Sequence, residues 1–365
     1  MILENNKNLS NGLNILQINN YSYRRGGSEA HFLDLIELLE SKGHEVITFS
    51  SESNKRHFLN FSAAQKLQKL LDNQKIDIAH VHNINHQLSP LILKILKQNN
   101  IPIVMTVHDY SLISANYNLY LQNKLSFKNI ILTIEFYLKR FLFPYNKLVD
   151  TFIAPSKFMA QKLRSKGFKN IVTLNNFTKL INNKIDPQDY FLYFGRLSKE
   201  KGLKEFIKTL SKVEKDFKFY IAGDGPEKNK LIKLVQNLKL KSKIKFLGYQ
   251  DRDTKLAQLI NSAQFIVIPS LCQENCSLSI LESMAQGKVV LAPDLGGNSK
   301  LINNQNGFLY NSNDETDLLD KINILIDNKE SNWKIGERAK GDIQKKFNPE
   351  IYYQKLIEIY KNLTS

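Results

Sequence analysis

The chain has 365 residues, 42% hydrophobic and 24% charged, which is ordinary globular usage and excludes collagen-like and disordered classes. At roughly 150 residues per domain, the length points to two domains. Lys+Arg 51 against Asp+Glu 35 leaves a net charge of +16. Such a balance favours anionic partners (phosphates, nucleic acid or acidic lipid) or reflects a lysine-rich solvated surface. The two cysteines, Cys272 and Cys276, exclude a disulfide framework. They lie four apart with no second Cys or Cys/His pair, which argues against a zinc knuckle and fits a reduced, cytoplasmic setting. The opening MILENNKNLS has no basic n-region and no long apolar h-region, so no signal peptide is expected. No run of 18 apolar residues occurs. No spanning helix is therefore expected, while attachment to a membrane surface stays open.

Short apolar runs alternate with helical patterns along the chain. Leu13–Ile18 reads as a strand, and Glu29–Ser41 as a helix, with Phe32, Leu35, Ile36, Leu38 and Leu39 at helical spacing and Gly43 as its C′ residue. Strands follow at Glu45–Phe49, Ile76–Val81 and Ile101–Val107, with a helix at Pro90–Gln98. Thr151–Ala154 is a strand, Ser156 caps helix Lys157–Ser165, and strand Ile171–Leu174 closes the series. The pattern then restarts with strands at Tyr190–Phe194, Lys218–Ala222, Ile244–Leu247, Phe265–Ile268 and Val289–Ala292, spaced as in βαβ units. The expected class is α/β: two doubly wound, Rossmann-like parallel-sheet domains facing across a cleft. Residues 1–180 form the first, 181–348 the second, and 349–365 a helix returning to the first. The polar stretch Thr178–Asp189, with Pro187, is the expected linker.

Ligands of open α/β sheets bind beyond the carboxyl ends of the strands, so the chemistry is sought there. Gly26 and Gly27 precede the first helix; such a pair either lets backbone N–H groups approach a phosphate or is only a turn. His80, His82 and His86 form His-x-His-x3-His, with His80 and His82 on one strand face. A zinc site is one reading, and hydrogen-bonded core histidines are the better one, since no acidic residue follows closely. His108, at a strand's carboxyl end, either meets a sugar hydroxyl or is a buried histidine satisfied by Asp109. Gly195 to Gly202 enclose Arg196 and Lys201, two cations suited to a diphosphate. Gly223-Asp224-Gly225-Pro226 either nears a nucleotide or is turn chemistry, with Pro226 starting a helix. Glu274 in a loop and Glu282 on the following helix are eight apart, and carboxylates accept hydrogen bonds from sugar hydroxyls.

Taken together these stretches resemble the retaining glycosyltransferases of family 4, with the GT-B fold. Glu274-Asn275-Cys276 through Glu282-Ser283-Met284-Ala285-Gln286-Gly287 is similar to the family's Glu-x7-Glu signature, and Phe194–Gly202 to its Gly-Arg…Lys-Gly phosphate loop. Gly26-Gly27, Thr106–Asp109, Ala154-Pro155-Ser156, Ala222–Pro226, Gly248 and Asn306-Gly307 also fit, in order, over nearly the whole chain. The resemblance implies an enzyme, a hexosyltransferase moving a sugar from a nucleoside-diphosphate sugar to a glycan or lipid-linked acceptor in surface polysaccharide or glycolipid synthesis. It implies that Arg196 and Lys201 neutralise the diphosphate, Glu282 holds the ribose and Glu274 the transferred sugar. Backbone at Asn275, Cys276, Ser277 and Leu278 contacts the donor, Gly26 and Gly27 let the first domain close on it, and His108 lies near the reacting carbon. It implies no cofactor and no metal.

Two positions depart from the family pattern. Gly296-Gly297-Asn298-Ser299-Lys300 carries Lys300 where a glutamate is usual, and Ser277 stands where glycine or proline is usual. Ile130–Tyr145 is apolar and aromatic with Lys139 and Arg140 inside it, and Lys55, Arg56, Lys66 and Lys69 flank a second apolar stretch. These are either ordinary amphipathic helices or a surface for an anionic leaflet, which would place the protein at the inner face of the cell membrane. Two other functions compete: a nucleotide-sugar hydrolase or epimerase on the same scaffold, and a noncatalytic basic binding protein. The first needs a further carboxylate or histidine beyond His108. The second lacks an aromatic RNA-binding signature or a zinc finger, so no nucleic-acid partner is expected.

Overall fold

The structure is a computed structural model that describes residues 12–24, 26–51, 55–116, 127–179 and 188–365. Most of the expected linker, residues 180–187, lies outside the described residues. The first series of elements is β1 (Asn14–Asn19), α1 (Gly27–Ser41), β2 (Glu45–Ser50), α2 (Phe61–Asn73), β3 (Ile78–Val81), α3 (Leu91–Gln98), β4 (Ile103–Thr106), α4 (Phe127–Leu142), α5 (Tyr145–Leu148), β5 (Thr151–Ala154), α6 (Lys157–Ser165) and β6 (Ile171–Thr173). The second is β7 (Phe191–Phe194), α7 (Leu203–Leu210), β8 (Phe219–Ala222), α8 (Lys228–Asn237), β9 (Ile244–Gly248), α9 (Ala257–Ser262), β10 (Phe265–Val267), α10 (Leu278–Ala285), β11 (Val289–Pro293), α11 (Asn298–Leu301), β12 (Phe308–Tyr310), α12 (Glu315–Asp327), α13 (Lys329–Lys346) and α14 (Pro349–Thr364).

The local signals act as their chemistry requires. Gly43 has φ 84, the left-handed C′ position after α1. The Ser156 side chain accepts from the Met159 N–H and opens α6. Pro226 differs from expectation: α8 begins at Lys228 with Glu227 at its N-cap, so Pro226 sits in the preceding turn. β12 was not foreseen, being three residues long and set between polar turns.

Two six-stranded sheets result, ordered β2-β1-β3-β4-β5-β6 and β12-β11-β10-β7-β8-β9. β1 pairs in parallel with β2 and β3, and β3 with β4. Every pairing of the second sheet is parallel. In that sheet the chain order reverses between β7 and β10, and the crevice beyond their carboxyl ends is where open α/β sheets take ligands.

Packing separates the described residues into two compact units. One holds those within Met1–Thr106, Lys139–Phe152 and Ile357–Ser365; the other holds those within Val107–Leu138 and Ile153–Leu356. In the first, Ile15, Leu16 and Ile18 of β1 and Ile78, Ala79 and Val81 of β3 are fully buried. His80 of β3 and His82, just beyond that strand, belong to this core. His80 Nδ1 meets Tyr360 Oη at 2.6 Å and its Nε2 meets Thr106 Oγ1 at 2.7 Å. His82 Nε2 meets Gln17 Oε1 at 2.9 Å. The two rings stack at 4.5 Å, as their alternate strand positions require. Among the described residues no group of three His, Cys, Asp or Glu is arranged to hold a metal ion.

In the second unit Phe191 lies between Phe219 and Phe265, with ring centroids 4.8 and 4.6 Å away and near-parallel planes. All three are essentially buried. Truncating one such ring typically costs about 3–5 kcal/mol. This aromatic layer fixes β7, β8 and β10 side by side, and with them the starting points of their loops.

Candidate active site

The loops after β7 and β10 meet at the crevice. The β7 loop ends in a 3₁₀ turn, Lys199–Lys201, followed by Gly202. Gly202 has φ 70, and a β-carbon there would lie 1.9 Å from the Pro269 carbonyl oxygen. Any side chain would therefore push the loops apart. The Leu271 N–H also donates to the Glu200 carbonyl at 2.8 Å. This close approach sets Lys201 Nζ 2.6 Å from Glu274 Oε1. Both side chains are largely buried, at 28% and 18% exposure.

The pair fixes both charges. Burial opposes the ammonium of Lys201, but the Glu274 carboxylate more than offsets it and holds the lysine above its ordinary range. Burial likewise opposes the Glu274 carboxylate, and Lys201 reverses that, leaving the carboxyl below the usual range. The neighbouring thiols are inert: burial pushes both Cys272 and Cys276 up to about 12.

Glu282 lies in the second turn of α10 and is ion-paired with Arg252. Arg252 opens a single π-helical turn, Arg252–Leu256, in the connection after β9. Sequence reasoning passed over this arginine; the signal for it was a cation just beyond the carboxyl end of β9. Each carboxylate of the Glu-x7-Glu pair is thus matched to a cation from another loop.

The loop around Glu274 is held by hydrogen bonds from side chains to backbone carbonyls. Asn275 Nδ2 donates to the His108 carbonyl at 2.7 Å. The Tyr110 hydroxyl donates to the Gln273 carbonyl at 3.0 Å, and burial raises its pKa beyond the ordinary tyrosine range. Tyr110 is a second residue to which sequence reasoning gave no role. Asn176 Nδ2 approaches the Cys276 carbonyl at 3.5 Å. Ser277 is the N-cap of α10, with φ −66, ψ 113 and no side-chain cap. That backbone is open to any residue, so the departure from glycine or proline leaves the loop geometry intact. The uncapped first-turn N–H groups of α10 give the loop a partial positive charge suited to an anion.

The loop after β11 supports this arrangement from the side. The Gly297 N–H donates to the Glu274 carbonyl at 2.6 Å. A β-carbon at Gly297 would lie 2.0 Å from the Asn275 carbonyl oxygen, so glycine is required by contact. Lys300 follows on α11 and is exposed.

His108, Arg196, Lys201, Glu274, Asn275, Cys276, Ser277, Leu278 and Glu282 all fall within one compact unit. Arg196 is exposed, and its guanidinium makes no hydrogen bond or ion pair among the described residues; its carbonyl accepts from the Tyr193 hydroxyl at 2.8 Å. Gly26 and Gly27 belong to the other unit. Gly26 is the N-cap of α1 with φ −162, an extended backbone that does not itself need glycine. Asp224 is a turn residue: its carboxylate accepts from the Gly225 N–H at 2.7 Å and pairs with Lys228 at 2.6 Å, which holds its pKa low.

Residues 176–342 match the family described as glycosyl transferases group 1, and residues 25–180 match glycosyltransferase family 4. The chain is a group 1 glycosyltransferase. This transferase is 28% identical over 364 residues to an uncharacterized glycosyltransferase of Methanocaldococcus jannaschii, covering 93% of this chain and 95% of that one. It is 25% identical to the N-acetyl-alpha-D-glucosaminyl L-malate synthase of Bacillus anthracis, over 83% of this chain and 78% of the relative. Its fold is that of the Anabaena protein HepE, solved in complex with UDP and glucose, with a TM-score of 0.75 at 19% identity over 96% of this chain and all of that one. The two parallel-sheet domains are therefore those of a GT-B enzyme.

Proposed function

We propose that this enzyme is a retaining glycosyltransferase that takes its sugar from a nucleoside-diphosphate sugar. The acceptor is a glycan or lipid-linked molecule at the inner face of the cell membrane, in surface polysaccharide or glycolipid synthesis. Residues 1–180 bind the acceptor and 181–348 the donor. The observation that carries the reading is the meeting of Lys201, Glu274 and the uncapped start of α10 where the second sheet reverses order.

Lys201 and the exposed Arg196 take the diphosphate with the first-turn N–H groups of α10, at Ser277 and Leu278. Glu282 accepts hydrogen bonds from the ribose once the nucleotide displaces Arg252. Glu274, anionic at neutral pH, accepts them from the transferred sugar. His108, whose carbonyl Asn275 anchors, lies near the anomeric carbon. The bond from that carbon to the diphosphate oxygen breaks as the acceptor oxygen bonds to the same face, and the acceptor's proton passes to the departing phosphate. The cations and the helix dipole stabilise the leaving charge, so the reading calls for no metal ion.

A thermal-shift panel of UDP-, GDP-, ADP- and CMP-sugars tests the donor class. One nucleotide family should raise the melting temperature, by mass action on the native state, and Glu282→Ala should abolish the shift. Without acceptor, the sugar released slowly should first appear in the donor's anomeric configuration by NMR. No shift with any donor, or first release of the opposite anomer, would overturn the proposal.

A further inference from the structure

The second unit carries a cavity of about 350 Å³ whose lining includes none of the donor-site residues named above. It lies along the connection after β9, where the π-helical turn Arg252–Leu256 runs into α9. Tyr190, Leu247 and Leu259 form its apolar lining. The Tyr190 ring is locked in place: it stacks on Tyr220 at 4.3 Å, and its hydroxyl donates to the Leu259 carbonyl at 2.8 Å. The Gln188 N–H donates to the Ser262 carbonyl at 2.7 Å, joining the segment before β7 to the end of α9.

The polar lining is Lys255, Gln188, Gln250, Gln258 and Ser262, with no acidic residue. The side chains of Lys255, Gln188 and Gln258 make no hydrogen bond or ion pair among the described residues. The carboxylates next to this lining in sequence are already matched. Asp189 pairs with Lys329 at 2.8 Å, and Asp251 accepts from the Thr254 N–H at 3.1 Å. One unmatched cation beside hydrogen-bonding amides and an apolar wall suits a small hydroxylated anion. The ammonium takes a phosphate as a point charge, the amides take hydroxyls, and the wall takes the C–H face of a sugar ring. The volume falls in the range of small-molecule sites.

We infer that this cavity binds a sugar monophosphate and that its occupant restrains the turn carrying Arg252. Single π-helical turns inside helices are frequent at functional sites. Lys255 belongs to the same turn as Arg252, whose guanidinium is paired with Glu282. An occupant held by Lys255 fixes that turn with Arg252 on Glu282, so a nucleotide that needs this carboxylate binds more weakly. The effect on the donor rests on the reading of Glu282 as the ribose site; the binding itself does not.

Thermal shift and kinetics with glucose 1-phosphate, glucose 6-phosphate, glucose and inorganic phosphate test it, with Lys201→Ala disabling the proposed donor site. At least one sugar phosphate should raise the melting temperature in both the parent and Lys201→Ala, and by more than glucose or phosphate at equal concentration. The double variant Lys255→Ala, Gln258→Ala should lose that shift and keep the shift with the donor, which also shows that it folds. In the parent, saturating sugar phosphate should raise the donor KM about fivefold with kcat unchanged, the lower range of ordinary site-to-site coupling; the double variant should not respond. A shift kept by the double variant but lost in Lys201→Ala would overturn the inference by placing the ligand in the donor crevice. So would the absence of a shift with either sugar phosphate, or a donor KM that neither of them moves. An intact sugar-phosphate shift with no shift from any nucleotide donor removes the transferase reading alone.

Discussion

Lys201→Ala is expected to lower kcat/KM for transfer by about 100- to 1,000-fold, the size of effect seen when one preorganised stabiliser of a developing anion is removed. Two losses combine. On the proposed function the diphosphate loses its buried cation, and Glu274 loses the partner 2.6 Å away that keeps it ionised. With Lys201 gone, burial acts on Glu274 against only its hydrogen bonds to Ser270 and Cys272, and its pKa rises from its present depressed position. The acid limb of the pH–rate profile should accordingly move to higher pH in the variant. The same linkage fixes a stability effect. A carboxyl depressed on folding contributes stability above its unfolded pKa, and that contribution fades as pH falls through the folded value. Lys201→Ala should therefore show a weaker acid-side loss of melting temperature than the parent. Lys201→Arg, which keeps the charge, should recover part of the rate. A variant within threefold of the parent, with an unmoved acid limb, would remove Lys201 from the site.

Gly297→Ala is expected to cost at least about 100-fold in kcat/KM, because displacements of about 1 Å at a reacting centre have effects of that order. The residue has φ −84 and ψ −6, a backbone that alanine adopts freely, so the effect comes from contact alone. A β-carbon 2.0 Å from the Asn275 carbonyl oxygen and 3.0 Å from that of Glu274 must move the loop that aims both residues. The hydrogen bond from the Gly297 N–H to the Glu274 carbonyl goes with it. Gly341→Ala is the control. It lies in α13 with nothing within 4 Å of an added β-carbon, and should leave the rate alone while stabilising the helix by about 1 kcal/mol. Kinetics and melting temperature measured on both variants separate a misplaced loop from general damage. Full activity in Gly297→Ala would contradict the steric account.

The strands were legible because each is a compact β-rich run between turn residues, and parallel sheets buried on both faces need no alternation to be seen. β12 was not, since Phe308–Tyr310 is too short to show a period. Glu274, Glu282, Arg196 and Lys201 were legible as residue types at a spacing. Their partners were not, because pairing depends on loops brought together by strand order. Arg252 reaches Glu282 only through the β9 connection, thirty residues away. Lys139 illustrates the opposite error. In sequence it reads as a surface cation beside apolar neighbours, yet its stem is buried and its ammonium is spent on two backbone carbonyls. His80 and His82 were correctly placed on one face, but only the position of Tyr360, near the chain's end, shows what one of them bonds.

A crystal structure with a bound nucleoside diphosphate tests the central claim most directly. The account predicts the diphosphate against Lys201 and the first turn of α10, with Arg252 displaced and the ribose hydroxyls on Glu282. A nucleotide bound elsewhere, with the Lys201–Glu274 and Arg252–Glu282 pairs both undisturbed, would contradict it.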